Sequence, residues 1–398
     1  MGLRVTITGF LASVTLCIVA ATSASAQQSE INNADRMFLI ALRQANVWIL
    51  PTTRQAPDQT TNETVRTAAK ELFDAHSRLD IDILKAAGDV GVVLPNDPSN
   101  EQQSRIVELG ARTGTDHDRA FATTIRAAQG TLLVQGANIR ATTRNSALRT
   151  LAHLTVHMLL RGMQTIEATG LVDPKAFQLN AKKAEVNAVR IIADNVDPAD
   201  RELYVKLRQD TLWQAPISRE AADRAADNRV RNVSEKVARE HTALSQKIYD
   251  LAAKAGVTLP DEPTAEQKSW ANAISKSSGP ELDRTYANLL RAADGSLITA
   301  VAESRASTRD NAVRDLAGSS LDLLLNQMTL LESTGLVSSD SLSAGAPAPA
   351  PKASAQSPSP VEESSNNGVL TGIIVLIVAA AGTLWLVRAV GHHGEHRR

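Results

Sequence analysis

Cysteine is all but absent. The single cysteine of this 398-residue chain, Cys17, lies inside an apolar N-terminal run. Loss of that run leaves no disulfide, no thiolate ligand and no thiol nucleophile. A lipid-attached start at Cys17 needs a small residue just before it, and Val14-Thr15-Leu16 offers none. Aromatic residues make up only 3%, while Ala, Leu and Arg fill periodic helical segments, which argues against a β-rich chain. Neither sign of charge dominates: 42 Lys and Arg stand against 43 Asp and Glu, a net charge of −1. A chain so balanced lacks the basic field that nucleic-acid binding uses, so nucleic acid is not an expected partner. No Gly-rich loop follows a strand, and no motif places a nucleophile on a strained turn. Neither an enzyme activity nor a cofactor is expected.

What the chain does have is a repeat. A shift of 165 positions carries Asp35-Arg36 onto Asp200-Arg201 and, without a gap, Thr169–Val172 onto Thr334–Val337. Within it, Val65-Arg66, His76, Leu79, Gly91-Val92 and Leu94-Pro95 return as Val230-Arg231, His241, Leu244, Gly256-Val257 and Leu259-Pro260. Apolar spacing of three to four residues predicts a first helix through Met37, Ile40 and Trp48 that stops around Pro51. It predicts a second through Val65, Leu72, Leu79 and Ile83, ended by Gly91. Ser99 with Gln102 has the form of a capping box, repeated by Thr264 with Gln267, and opens a third helix broken near Gly114. A last helix buries Leu148, Leu151, Val156, Leu159 and Met163 and ends at Gly170. Short links make neighbouring helices antiparallel. The fold class is therefore all-α: two tandem antiparallel four-helix bundles, at 32–173 and 200–338, with a connecting helix at 174–199, and with Asp197 and Pro198 as the cap and first helical residue that open the second copy.

Residues 1–26 read as a secretory signal, with Arg4, an apolar run and Ala24-Ser25-Ala26 before Gln27. Residues 339–367 read as an Ala/Pro/Ser-rich stalk. Val369–Val387 carries no charge, and about 19 residues at ~1.5 Å each reach across a bilayer, so 368–388 is the expected transmembrane helix. The tail at 389–398, with Arg388 before it, is basic. The positive-inside rule then predicts a single-pass cell-membrane protein, with the bundles extracytoplasmic and the C-terminus cytoplasmic.

The ordered set Val65-Arg66, Asp74-Ala75-His76 and Gly91-Val92-Val93-Leu94-Pro95, and again Val230-Arg231, Glu240-His241 and Gly256-Val257-Thr258-Leu259-Pro260, resembles the bacterial domain-of-unknown-function 4142 family in two tandem copies. The resemblance implies an exported, ferritin-like four-helix fold of no established activity, described as an outer-membrane protein. Members commonly carry another Asp-His pair on the third helix, where this chain has Arg126-Ala127-Ala128 and Arg291-Ala292-Ala293.

A ferritin-like bundle raises the question of metal. Di-metal carboxylate sites need Glu-x-x-His, and the chain contains none. The candidates are His76 with Asp118 and Glu167, and His241 with Asp283 and Glu332; a buried histidine bonded to a neighbouring helix is the commoner reading. His153 and His157 also stand four apart, but Gly318 and Asp322 replace them in the second repeat. Arg140 and Arg144, repeated as Arg305 and Arg309, are candidates for contact with an anionic envelope polymer or protein, against salt-bridging to Asp and Glu. The expectation is a membrane-anchored extracytoplasmic binding or structural module of the cell envelope. The alternative is a ferritin-like metal-binding or redox protein using the repeated histidines and carboxylates.

Overall fold

The computed structural model describes residues 31–177 and 196–342. The expected signal segment, the expected stalk from residue 343, the expected span, the tail and residues 178–195 of the expected connecting helix lie outside them. Among the described residues there are ten α-helices and no strand, and no helix is long and apolar enough to cross a membrane.

The first repeat comprises α1 (Asn33–Gln59), α2 (Glu63–Val90), α3 (Asn100–Gly110), α4 (Gly114–Thr142) and α5 (Ser146–Glu167), followed by a 3-10 turn at Pro174–Phe177. The second comprises α6 (Pro198–Arg224), α7 (Asn228–Ala255), α8 (Ala265–Lys276), α9 (Gly279–Ser307) and α10 (Asn311–Ser333), with a 3-10 turn at Ser339–Leu342. Both capping boxes form, at Ser99/Gln102 and Thr264/Gln267. Gly91 and Gly256 close α2 and α7 in the left-handed conformation, at φ 68° and 71°, which glycine adopts without steric cost. Asp197 caps α6, with Pro198 in its first turn.

Two expectations are corrected. The first helix does not stop at Pro51: α1 runs through Pro51 and Pro57, and α6 through Pro216. A proline inside a helix removes one donor from the ladder. Around Pro51 the hydroxyls of Thr52 and Thr53 add bonds to Trp48 O and Ile49 O, both at 2.8 Å. The third helix is also two separate elements. Gln44 meets Gln102 at 2.6 Å and Gln59 meets the carbonyl of Gly110 at 2.9 Å, so α3 runs alongside α1 in the same direction. It carries the chain back along the bundle, which lets α4 descend antiparallel to α1. The ring of neighbours is then α1, α2, α5, α4, each antiparallel to the next.

The two bundles join through α4 and α9, which cross antiparallel about a pseudo-twofold. Arg126 Nη2 donates to Arg305 O and Ala306 O at 3.2 and 3.1 Å, and Arg291 Nη2 donates to Arg140 O and Ala141 O at 3.1 and 3.2 Å. Glu167 accepts from Arg126 of its own repeat and, at 2.9 and 3.0 Å, from Arg305 of the other. Glu332 accepts from Arg291 at 2.6 Å and from Arg140 at 2.7 and 3.2 Å. Gly295 lies where a Cβ would come within 3.0 Å of Arg291 Nη1 and 3.7 Å of Ala141 Cβ, so its missing side chain permits the close approach of α9 to α4. One apolar core runs through the junction, from Phe38, Leu72 and Leu133 to Leu207, Ile298 and Leu321.

Removing Glu332 leaves Arg140, Arg291 and also Arg149, at 3.7 Å, without their counter-charge. Glu332→Ala is expected to cost about 3 kcal/mol of unfolding free energy, since Arg140 and Arg291 are almost fully buried. Glu63→Ala, which breaks only the exposed pair with Arg66, is expected to stay within about 0.5 kcal/mol. Urea denaturation of the two variants checks the contrast.

Candidate functional site

The centre of each bundle holds its repeated histidine. His76, on the buried stripe of α2, is fully enclosed. Its Nδ1 lies 2.8 Å from Asn46 Oδ1, an acceptor, so the ring donates there, and its Nε2 receives the amide of Gln129 at 3.5 Å. Burial lowers its pKa from 6.5 to about 4 against the opposing pull of Asp80. A neutral imidazole between two amides is a satisfied core histidine.

His241 has a different setting. Its Nε2 donates to Gln327 Oε1 at 2.8 Å, and its Nδ1 faces Asp210 Oδ2 at 3.6 Å without a hydrogen bond. Gln214 bridges two buried carboxyls, donating to Asp210 Oδ1 at 2.8 Å and Asp294 Oδ1 at 3.1 Å. Gln327 donates to Gln214 Oε1 at 2.6 Å and to Asp294 Oδ1 at 3.2 Å. Asp210, His241, Asp294 and Gln327 thus come one from each long helix of the second bundle. Among the described residues neither Asp210 Oδ2 nor Asp294 Oδ2 has a hydrogen-bond partner. Burial raises the pKa of both, in Asp294 with repulsion from Asp210 added and in Asp210 against the attraction of His241.

These residues escaped the sequence reading because the repeats differ at them. Asp210, Gln214, Asp294 and Gln327 stand where the first repeat has Ala45, Ile49, Gln129 and Gly162. The last two changes are coupled: a Cβ at Gly162 would come within 2.5 Å of Gln129 Nε2, so the first bundle has room for a glutamine from α4 only. The second bundle takes its glutamine from α10 and shortens the α4 equivalent to aspartate. The available signal was an acid, Asp294, one helical turn from Leu290 and from Ile298 on the apolar stripe of α9.

The carboxylates chosen from the sequence do not join the histidines. Asp118 lies beside His117 Nδ1 at 3.3 Å, near the start of α4. Gln129, 11 residues or about 16 Å farther along, is the α4 residue level with His76. Asp283 accepts the backbone amides of Ala226 and Asp227 at 3.2 and 2.8 Å and so holds the α6–α7 turn. Glu167 and Glu332 are taken up by the junction arginines. Among the described residues no group of three or more His, Cys, Asp or Glu side chains is disposed to hold a metal ion. Arg140 and Arg305 are corrected as surface candidates, because both are buried at the junction. Arg144 and Arg309 are exposed, Arg144 at 3.8 Å from Asp340.

A surface feature distinguishes the second bundle. Arg43 of α1 is held by both oxygens of Asp80 at 2.6 and 2.7 Å. Its counterpart Arg208 meets Ser245 instead, donating to the hydroxyl at 2.6 Å and to Pro260 O at 3.4 Å. Arg208 lines an open groove of about 510 Å³ between α6 and α7, with Arg219, Thr242, Ser245 and Tyr249. Arg219 donates to Thr242 Oγ1 at 2.7 Å. Neither arginine pairs with a carboxylate among the described residues, and no acid lines the groove.

The two cores predict opposite responses to pH. A His76 pKa depressed to about 4 gives stability that is complete above 6.5 and lost as pH falls toward 4; the full effect is about 3 kcal/mol. Raised aspartate pKa values act the other way: the second bundle loses stability as pH rises above 3.8, the ordinary value. Asp294→Asn is therefore expected to raise stability at pH 7 by about 1–2 kcal/mol and to make little difference below pH ~4. Hydrogen exchange of α2 and α7 peptides across this range resolves the two trends.

No curated protein and no solved structure matches the chain. A family profile described as "Domain of unknown function (DUF4142)" matches residues 20–169 and again 187–332. With two successive segments matched over most of its length, the chain belongs to the DUF4142 family as a tandem pair of its helical domains.

Proposed function

We propose that the protein is a non-catalytic binding module of the cell envelope, anchored in the membrane by residues 368–388, whose second bundle engages an anionic envelope polymer. The groove between α6 and α7 carries this reading: Arg208 and Arg219 present guanidinium groups not neutralised by any carboxylate among the described residues, among hydroxyls suited to a hydrated polyanion. The counterpart of Arg208 in the first bundle, Arg43, is neutralised by Asp80, so the two repeats differ in charge at this position. The sequence supports the location, with a signal-like start, an uncharged run at 369–387 and a basic end.

Deletion of residues 368–398 is expected to move the protein from the membrane fraction to the soluble fraction on cell fractionation. Pull-down from intact envelopes is expected to recover anionic polymer with the full chain, and at least about tenfold less with Arg208→Ala/Arg219→Ala, the loss of two charge-assisted contacts. Recovery of neither polymer nor protein counts against the reading. Equal recovery by the variant counts against the groove.

A further inference from the structure

His153 and His157 stand one turn apart on α5, with ring centroids 4.6 Å apart and ring planes at 68°. Sequence comparison supplies nothing beyond these two side chains, because Gly318 and Asp322 replace them in the second repeat. The pseudo-twofold changes this by laying α10 against α5. His157 Nδ1 lies 3.0 Å from Asp322 Oδ1, and His153 Nδ1 lies 3.5 Å from Thr329 Oγ1. The residue that replaces His157 in one repeat thus becomes its partner in the other.

The hydrogen-bond chemistry fixes both tautomers. Thr329 gives its hydroxyl hydrogen to Leu325 O at 2.9 Å and also accepts from Arg140 Nη2 at 3.2 Å. Toward His153 it can only accept, so that ring carries its hydrogen on Nδ1. An ionised carboxylate accepts only, so His157 also carries its hydrogen on Nδ1. In the neutral form of each ring Nε2 then keeps a lone pair, and neither Nε2 is hydrogen-bonded to a described residue. Both rings are half-buried, near enough to solvent for an ion to enter. Around them lie Arg140, Glu332 and Asp322; burial first, then His157 and Arg140, lowers the pKa of His153 to about 4, so its ring is neutral at pH 7.

We propose that the Nε2 atoms of His153 and His157 bind one divalent transition-metal ion of the imidazole-preferring class, represented by Zn²⁺. Water completes the coordination, and Asp322 and Thr329 of the second repeat orient the two rings through Nδ1. A carboxylate on the far nitrogen of a ligating histidine fixes its orientation and raises its basicity, and removing such a partner weakens metal affinity by about 10–100-fold. Two imidazoles suit zinc, nickel or copper and disfavour magnesium or calcium. The inference is independent of the membrane and polymer readings.

The test is calorimetric titration of Zn²⁺ at pH 7.5 into the full chain in detergent. His392, His393 and His396 of the tail are replaced by alanine, because they offer competing nitrogens. The expected result is one Zn²⁺ per chain. Binding is lost in His153→Ala/His157→Ala and equally in His157→Gln, which keeps a polar side chain of similar reach. Asp322→Ala is a positioning variant, and it retains one site at about 10–100-fold weaker affinity. Unchanged metal-free thermal unfolding shows that each variant is folded. No Zn²⁺ binding by the parent, or unchanged binding after loss of both histidines, overturns the site. Unchanged affinity in Asp322→Ala overturns the orienting role.

Discussion

The junction between the bundles rests on an exchange of guanidinium groups across a pseudo-twofold. Each cluster gathers three arginines around one glutamate: Arg126, Arg305 and Arg314 around Glu167, and Arg140, Arg149 and Arg291 around Glu332. Burial by itself would raise the pKa of each glutamate, but the neighbouring arginines together outweigh it and hold both below the usual carboxylate range. Burial pulls Arg126 and Arg291 down to about 10, and the glutamates oppose it, so both remain charged at neutral pH. One carboxylate cannot balance three cations. The remainder is met by the last carbonyls of the partner's long helix, Arg305 O and Ala306 O on α9 or Arg140 O and Ala141 O on α4, where the helix dipole is negative. At one cluster the ring of Phe177 adds its face, 4.6 and 4.7 Å from the guanidinium carbons of Arg126 and Arg314. At the second cluster Leu342 stands at the position equivalent to Phe177.

A symmetric junction joins two bundles whose interiors have separated. The first bundle satisfies His76 with neutral amides and is weakened by acid. The second surrounds His241 with two carboxyls that lose stability when ionised. The same separation occurs outside, where Asp80 becomes Ser245 and leaves Arg208 without its counter-charge, and at the seam, where His157 meets Asp322 instead of a second histidine. Two copies of one backbone thus present three different local chemistries while keeping one way of packing together.

Much of the fold was legible in the sequence because it rests on local rules. Helix periodicity, the Ser99 and Thr264 capping boxes and the glycine at Gly91 and Gly256 each act within a few residues. The passage of α1 through Pro51 was not legible: proline marks a probable boundary, and tertiary packing of Ile49, Thr53 and Ala56 overrides it. The junction was half legible. Repetition singled out Arg140, Arg305, Glu167 and Glu332, but side-chain type does not tell a buried ion pair from a surface that binds a polyanion, and of those two readings of Arg140 and Arg305 the structure shows the ion pair. The core carboxyls were hidden for the opposite reason, since a search for what the repeats share passes over the positions where they differ.

The self-complementary junction also bears on assembly. Each repeat carries both halves of the contact, the arginines that reach out and the glutamate that receives, and two separate bundles with such a surface would meet as an isologous dimer. Such a dimer falls apart on dilution. Joined in one chain, the two halves meet at an effective concentration that does not depend on the abundance of the protein. Tethering also frees the two faces from having to be identical, and an asymmetric pair such as His157 with Asp322 then occurs once per molecule rather than twice.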